Sequence, residues 1–474
     1  MAFYQRLVQD VLFPLSLWKR GERQQLRYLR GFEKTQFLPA EQLHSLRLDR
    51  LRKLLHHAQQ NCPFYRDRFR KAGFVPADLG TLADLRALPV LEKEEIQEHG
   101  PDLLACNWPE GDRLRNQTGG STGTPVTFYL GKERKCSRAA ATLRHNAWAG
   151  WRIGDRVAVI WGAPQDRPPD TWRARLRARL LREPLWLDTG QLSEQSMERF
   201  HHTLWQYRPR IIQAYARAAV LFAQFLLTRS LSPYRPHALI TSAEVLEDKE
   251  RALLEEVFGC PVFNRYGCRE VSVIASECPA HTGLHVMAEG LHVEIEGPAR
   301  PAKPGEPGSI LITDLLNPVM PLIRYRIGDM GVWARGECPC GRGLPRLERV
   351  SGRVTDFLVG CQGQLVSGVY LATYVVAQRP SLGQVQIHQD RQGAVLYRIK
   401  PGSAFHLEGD LDYLRSATRR YLGEATDVSW EIVPELAVEA SGKYLFSRST
   451  VAPTFLQGNR GKPHRATPLV GEQQ

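Results

Sequence analysis

The chain has 474 residues, 43% of them hydrophobic and 24% charged, and carries 63 Lys and Arg against 50 Asp and Glu for a net charge of +13. That balance excludes a disordered or fibrous chain and supports a large core, with a length worth about three domains. No run of about 18 or more apolar residues occurs, which excludes a transmembrane helix, and the excess of positive charge points to anionic partners without choosing among nucleic acid, nucleotide phosphates, coenzyme A and acidic lipid. The N-terminal segment MAFYQRLVQDVLFPLSLWKR is interrupted by Arg6 and Asp10 and has no small-residue cleavage site, so no secretory leader is expected. Nine cysteines without an export signal fit a cytoplasmic chain with free thiols or a metal site better than a disulfide framework.

Residues 1–100 read as a helical, mostly peripheral lead-in. Leu48, Leu51, Leu54 and Leu55 recur at helical spacing until the turn signal Cys62-Pro63, and a short helix is expected over 92–98. Near residue 115 the texture changes to the Gly/Ser/Thr-rich loop 118–125, followed by an alternating strand. Helices are then expected over 134–150, 193–207, 215–229 and 247–258, the last stopped by Gly259. Strands are expected over 156–161, 209–213, 237–241 and 262–264, and residues 163–186 form a basic, Pro- and Arg-rich insertion. This alternation predicts an α/β layered core with a mixed or parallel sheet. Beyond 265 the chain turns β-rich: 283–297 reads as a hairpin about Gly290, and a strand follows over 308–314. The last region has strands over 393–399 and 427–433 and a helix near 410–422, a small α+β unit.

The loop Thr118-Gly119-Gly120-Ser121-Thr122-Gly123-Thr124-Pro125 combines glycines that let backbone approach an anion with hydroxyls that donate to it. No lysine follows Gly123, so it is not a Walker A loop. Three further segments follow: Tyr266-Gly267-Cys268-Arg269-Glu270, Arg324-Tyr325-Arg326-Ile327-Gly328-Asp329 and Ser351-Gly352-Arg353-Val354-Thr355-Asp356. Singly each reads as a turn.

In this order the segments resemble the signature series of the adenylate-forming acyl-CoA ligase superfamily, most closely its phenylacetate–CoA ligase-like branch with capsular-polysaccharide-type relatives. The resemblance runs from LLHHAQQNCPFYRDRF (54–69) to SGKYLFSRS (441–449). It implies a large N-terminal domain over 1–355 that binds ATP and the acid, and a small mobile α+β domain over 356–474 with Asp356 at the hinge. It also implies that loop 118–125 holds the ATP phosphates, that Ser242, Ala243 and Glu244 pack against adenine beside Tyr266 and Gly267, and that Glu270 helps bind Mg²⁺. Asp329 then holds the ribose hydroxyls with Arg353 nearby. Lys443 matches the lysine that enters during adenylation, where a cation offsets the charge of a carboxylate attacking the α-phosphate.

Cys278, His285, Cys338 and Cys340 form a soft S/N set suited to tetrahedral zinc with no open catalytic position, His281 being an alternative fourth ligand. Cys-Pro-Cys-Gly-Arg resembles a segment of metal-bearing members of the same branch; unrelated thiols are the competing reading. Cys62, Cys106, Cys136, Cys260 and Cys361 read as packing residues. The stretch over 172–186 contains Trp172, Leu176 and Leu180 among arginines. It suits either a solvated helix or contact with an acidic membrane or an acceptor phosphate.

The function expected from the resemblance is ATP-dependent activation of a small carboxylic acid through an acyl-adenylate, with coenzyme A or a carrier thiol as acceptor. The alternatives are an adenylating enzyme of exopolysaccharide or capsule assembly with another acceptor, and a non-catalytic nucleotide-binding scaffold. No nucleic-acid recognition module is found; a homodimer, and a cytoplasmic position peripheral to the inner membrane, are compatible with these readings.

Overall fold

A computed structural model describes residues 2–117, 126–161, 184–189, 194–297, 300–353, 357–363, 365–371, 375–376, 378–402, 404–436 and 447–458. The glycine-rich loop 118–125, most of the basic insertion, Asp356 and Lys443 lie outside the described residues.

The strands run β1 Leu114–Gln117, β2 Thr127–Leu130, β3 Val157–Trp161, β4 Leu185–Asp188, β5 Ile211–Tyr215, β6 Ala238–Ser242, β7 Val262–Cys268, β8 Ser272–Glu277, β9 Leu284–Val286 and β10 Leu291–Glu296. There follow β11 Pro307–Asp314, β12 Tyr325–Trp333, β13 Arg346–Arg353, β14 Phe357–Val359, β15 Leu365–Ser367, β16 Gln384–Gln389, β17 Ala394–Lys400, β18 Asp427–Ile432 and β19 Ser447–Ser449. Eleven of them form one sheet in the order β10-β11-β12-β13-β9-β8-β7-β6-β5-β3-β4. From β4 to β7 all pairs are parallel; from β7 to β10 all are antiparallel.

The parallel half follows from its sequence. VAVIW, IIQAY and ALITS are apolar runs, as strands covered on both faces must be. On one face Ile160, Ile212, Ala214 and Leu239 pack with Phe200, Phe222 and Phe258 from the helices Glu194–Tyr207, Ala216–Thr228 and Asp248–Phe258. On the other, Val159, Ile211, Ile240 and Phe263 pack with Ala149, Trp151 and Trp161, beyond the end of the helix Lys132–Trp148. Gly259 ends its helix at φ +58°, the left-handed conformation a C-terminal cap needs.

Three expectations are corrected. The lead-in is helical but not peripheral: Leu51, Leu54 and Leu55 of the helix Ala40–Asn61, and Tyr65 and Phe69 of the helix Pro63–Lys71, are buried in the main core with Leu322, Ile323 and Tyr325. Their leucine stripe is the seam against the antiparallel half rather than a cover on it. Residues 283–297 do not form a hairpin. β9 joins β8 and β13, whereas β10 pairs with β11 at the sheet edge, so the two strands flanking Gly290 are separated by three others. Finally, the end of the basic insertion is a strand, β4, parallel to β3.

Beyond β13 a four-stranded sheet, β18-β17-β16-β19, carries the helix Leu407–Leu422. Leu358, Ile387, Tyr397, Leu411 and Leu414 form its separate core. The alternating burial of β17 matches a sheet with one covered face.

Candidate functional site

The parallel strands end together. Register places Tyr215 beside Ser242 and Ser242 beside Arg265, so the carboxyl ends of β5, β6 and β7 form one edge. The order of the parallel strands reverses at β3, which has β4 on one side and β5 on the other, and at such a switch point an open α/β sheet leaves a crevice outside the carboxyl ends of its strands. Trp161, at the end of β3, stacks on Tyr215 with ring centroids 4.0 Å apart. Beyond Ser242 the chain turns through Ala243 at φ +66°, a conformation that costs a non-glycine residue on the order of 1 kcal/mol and is concentrated at functional sites. Glu244 Oε2 accepts the Arg217 backbone N–H at 2.8 Å, placing a carboxylate at the positive N-terminus of the helix Ala216–Thr228.

Beside this edge two tyrosine–carboxylate pairs tie β7 and its turn to β12. Tyr266 O–H donates to Asp329 Oδ2 at 2.6 Å, and Tyr325 O–H donates to Glu270 Oε1 at 3.1 Å. Burial and then the facing carboxylate hold both phenols well above their ordinary range, so each stays a protonated donor. Asp329 stands opposite Arg353 in the β12–β13 register, which brings the backbone of that predicted residue to the site. Gly267 is required by close approach: a Cβ there would lie 2.6 Å from Ser272 O. Burial, then Glu270, pushes the Cys268 thiol well up, making it a neutral neighbour rather than a nucleophile. Flanking loop 118–125, β1 and β2 pair with Gln117 opposite Thr127.

A second cluster lies on the antiparallel half. Cys278, His285, Cys338 and Cys340 converge with their ligand atoms all within 4.8 Å of one another. Cys278 Sγ and Cys338 Sγ are 3.7 Å apart, and Cys340 Sγ and His285 Nε2 are 3.3 Å apart. A tetrahedral ion with metal–sulfur bonds of about 2.3 Å sets its sulfurs about 3.8 Å apart, so the cluster has the span zinc needs. His285 Nδ1 lies 3.3 Å from Leu344 O, which fixes the ring and turns Nε2 toward the sulfurs. Burial, then the cationic arginines around it, lowers His285 to about 4, so the imidazole is neutral. Burial pushes Cys278 up to about 12; burial also opposes ionisation of Cys338, but hydrogen bonds from Thr282 and from Cys340 outweigh it and hold that thiol at about 7. His281 is outside the cluster, against Glu277 and the Phe263 ring, which corrects its candidacy as fourth ligand.

Sequence reasoning passed over Arg265, Asn146 and the hydroxyl of Tyr325. The available signal for Arg265 was an arginine immediately before Tyr266 in a strand that otherwise begins apolar. Asn146 gave no signal at all, because it meets β5 and β7 only through the tertiary fold. Among the other cysteines, Cys62, Cys136 and Cys260 are buried as expected of packing residues, whereas Cys106 is exposed and Cys361 half-buried.

No family model matches the chain. It is 27% identical over 330 residues to a phenylacetate-coenzyme A ligase of Thermus thermophilus, covering 68% of this chain and 73% of that one. Protein CapK of Staphylococcus aureus is 22% identical over 424 residues, covering 86% and 90%. Among solved structures, 2-hydroxyisobutyryl-CoA ligase in its postadenylation state, in complex with R3-HIB-AMP, shares the fold with a TM-score of 0.70 at 22% identity, over 90% of this chain and 94% of that one.

Proposed function

We propose, for a chain that belongs with the phenylacetate–coenzyme A ligase relatives of the adenylate-forming superfamily, that it activates a carboxylic acid with ATP and passes the acyl group to coenzyme A. The observation that carries the reading is the meeting of Tyr266 with Asp329 and of Tyr325 with Glu270 beside the carboxyl edge of β5–β7. A carboxylate is a poor acyl donor because an oxide must leave. Attack of its oxygen on the α-phosphorus, with departure of pyrophosphate, gives a mixed anhydride; attack of the coenzyme A thiolate on the acyl carbon then releases AMP.

The roles follow the site. Thr118, Gly119, Gly120, Ser121, Thr122, Gly123 and Thr124 hold the phosphates, Ser242, Ala243, Glu244, Tyr266 and Gly267 line the adenine, and Asp329, oriented by Tyr266, accepts from the ribose diol with Arg353 beside it. Glu270 is a hard oxygen ligand beside Asp329 that suits Mg²⁺, which when bound with ATP neutralises charge on the phosphates. Lys443 supplies the cation at the reacting centre. Residues 356–474 turn about Asp356 between the two half-reactions. The Cys278, His285, Cys338 and Cys340 set is a closed structural zinc site, supported by its sulfur spacing and the fixed His285 ring. The nine free cysteines and the ATP chemistry suit a cytoplasmic enzyme, and contact of the basic stretch 172–186 with acidic membrane, and a homodimer, are parts of the same proposal. No helix among the described residues is long and apolar enough to cross a membrane.

A second reading, transfer to an acceptor other than coenzyme A in capsule or exopolysaccharide assembly, is favoured by the long alignment with CapK. The test is ATP–pyrophosphate exchange over aryl, fatty, hydroxy and dicarboxylic acids, followed by AMP release with and without coenzyme A. Exchange is expected with at least one acid, and Lys443→Ala should lower it about 100- to 1000-fold. Exchange that ignores both the acid and Lys443 refutes acid activation; exchange without thioester formation selects the second acceptor.

A further inference from the structure

Among the described residues four arginines are almost wholly buried, and three of them meet carboxylates. Arg134 meets Asp314 at 2.7 Å, Arg144 meets Glu289 at 2.5 Å and Arg324 meets Glu294 at 3.0 Å, all inside the core. Arg265 is as deeply placed, 7% exposed, yet no carboxylate faces it among the described residues. One Nη donates to Asn146 Oδ1 at 2.5 Å, and Nε donates to nothing. Burial alone lowers its pKa, to about 10, with no acid pulling it back. A guanidinium held out of water without a counter-charge is costly, and an amide oxygen supplies a hydrogen bond but not the missing charge.

Its position says which ligand the charge awaits. Alternation along parallel strands sets Trp161, Gln213, Tyr215, Ser242 and Arg265 on one face at the carboxyl edge of β3, β5, β6 and β7. Arg265 lies one residue inside Tyr266, and Gln213 is drawn to the same Asn146 Oδ1 at 3.1 Å. The next buried group, His145, is neutral because burial and the neighbouring cations depress it, and its Nδ1 has no partner. It therefore adds a polar ring beside Arg265 but no balancing charge.

Resting on the acid-activation reading, we propose that the acid this protein activates carries a second oxyanion, which Arg265 binds while the first carboxylate reacts at the nucleotide edge. A plain aryl or alkyl acid would leave the guanidinium buried and unpaired. A dicarboxylic or sulfonate-bearing acid supplies the charge and can accept in fork geometry.

The test compares ATP–pyrophosphate exchange of the full chain with succinic, glutaric and adipic acids and a sulfonate-bearing acid against butyric, valeric, hexanoic and phenylacetic acids. The native protein is expected to favour one dianionic acid. Arg265→Met should lower kcat/KM for that acid by about 100-fold or more, while exchange with the matched monoanionic acid holds or rises; Arg265→Lys should recover part of the loss. A thermal midpoint at or above the native value in Arg265→Met, read in the same preparation, keeps the result from being one of misfolding. Preference for monoanionic acids in the native protein, or an equal loss with both classes in Arg265→Met, overturns the assignment and leaves acid activation standing. Exchange with no acid at all removes acid activation, and this assignment with it.

Discussion

Arg144 and Arg265 meet the same end of the helix Lys132–Trp148 in opposite ways. Arg144, on the helix, is closed into the antiparallel half: both Nη atoms reach Glu289, Thr35 Oγ1 supports that carboxylate at 2.9 Å, and the guanidinium lies over Phe32 and Trp148. Arg265, on β7, reaches the helix at Asn146 and meets no carboxylate among the described residues. The first region is finished by the chain itself, down to Trp148 packing edge-on against His285 of the sulfur cluster. The second is buried at the sheet edge with an amide oxygen as its partner and no counter-charge among the described residues. A cation that holds a fold together is neutralised within the fold; one that reads a ligand must wait for it.

The contrast can be broken most forcefully at Glu289. Glu289→Ala leaves Arg144 buried without its counter-charge and should cost about 3–5 kcal/mol, read as a lower urea midpoint. Arg265→Met should show no such loss, and equal destabilisation of the two variants would erase the distinction. Next in size is the sulfur cluster. Metal analysis should find zinc bound to the native chain and absent from Cys338→Ser. Loss of the ion should cost about 2 kcal/mol, a fall of some 2–3 °C in the thermal midpoint of a unit of about 350 residues, while exchange well below that midpoint stays within about 3-fold; a collapse of exchange without a change in melting would place the cluster in the chemistry. The smallest effect is expected at the nucleotide edge. Asp329→Asn keeps an acceptor for Tyr266 but loses the charge offered to a diol, so KM for ATP should rise about 10-fold, roughly 1.4 kcal/mol. Thermal melting should not move. An unchanged KM would remove Asp329 from nucleotide binding.

Legibility in the sequence followed the range of the interactions. The helices 193–207 and 247–258 and the strand 156–161 were readable to within a residue or two, because apolar periodicity and a terminal glycine act locally. The strand 262–264 was read too short, since its continuation through Tyr266 and Gly267 is held by pairing with β8 rather than by an apolar run. The apparent hairpin at 283–297 failed for a related reason: two apolar segments across a turn look alike whether they pair with each other or with partners on either side. Cys278, Cys338 and Cys340 were legible as candidate ligands because soft ligands are few and chemically specific. His281 was indistinguishable from His285 by spacing and separated from it only by the direction of its ring, toward Glu277.

The sequence by itself determined the α/β alternation, the order of the segments that carry Tyr266, Glu270 and Asp329, and the candidate ligands Cys278, Cys338 and Cys340 with His285 or His281, since each is written in local pattern or rare residue type. The tertiary structure decided which groups face one another. It set Tyr266 on Asp329 and Tyr325 on Glu270, gave Glu289 to Arg144, and left Arg265 with an amide instead of an acid. Pairing of charges across 145 residues of chain is fixed by sheet register and helix packing, and no periodicity along the chain reports which buried cation has found its anion.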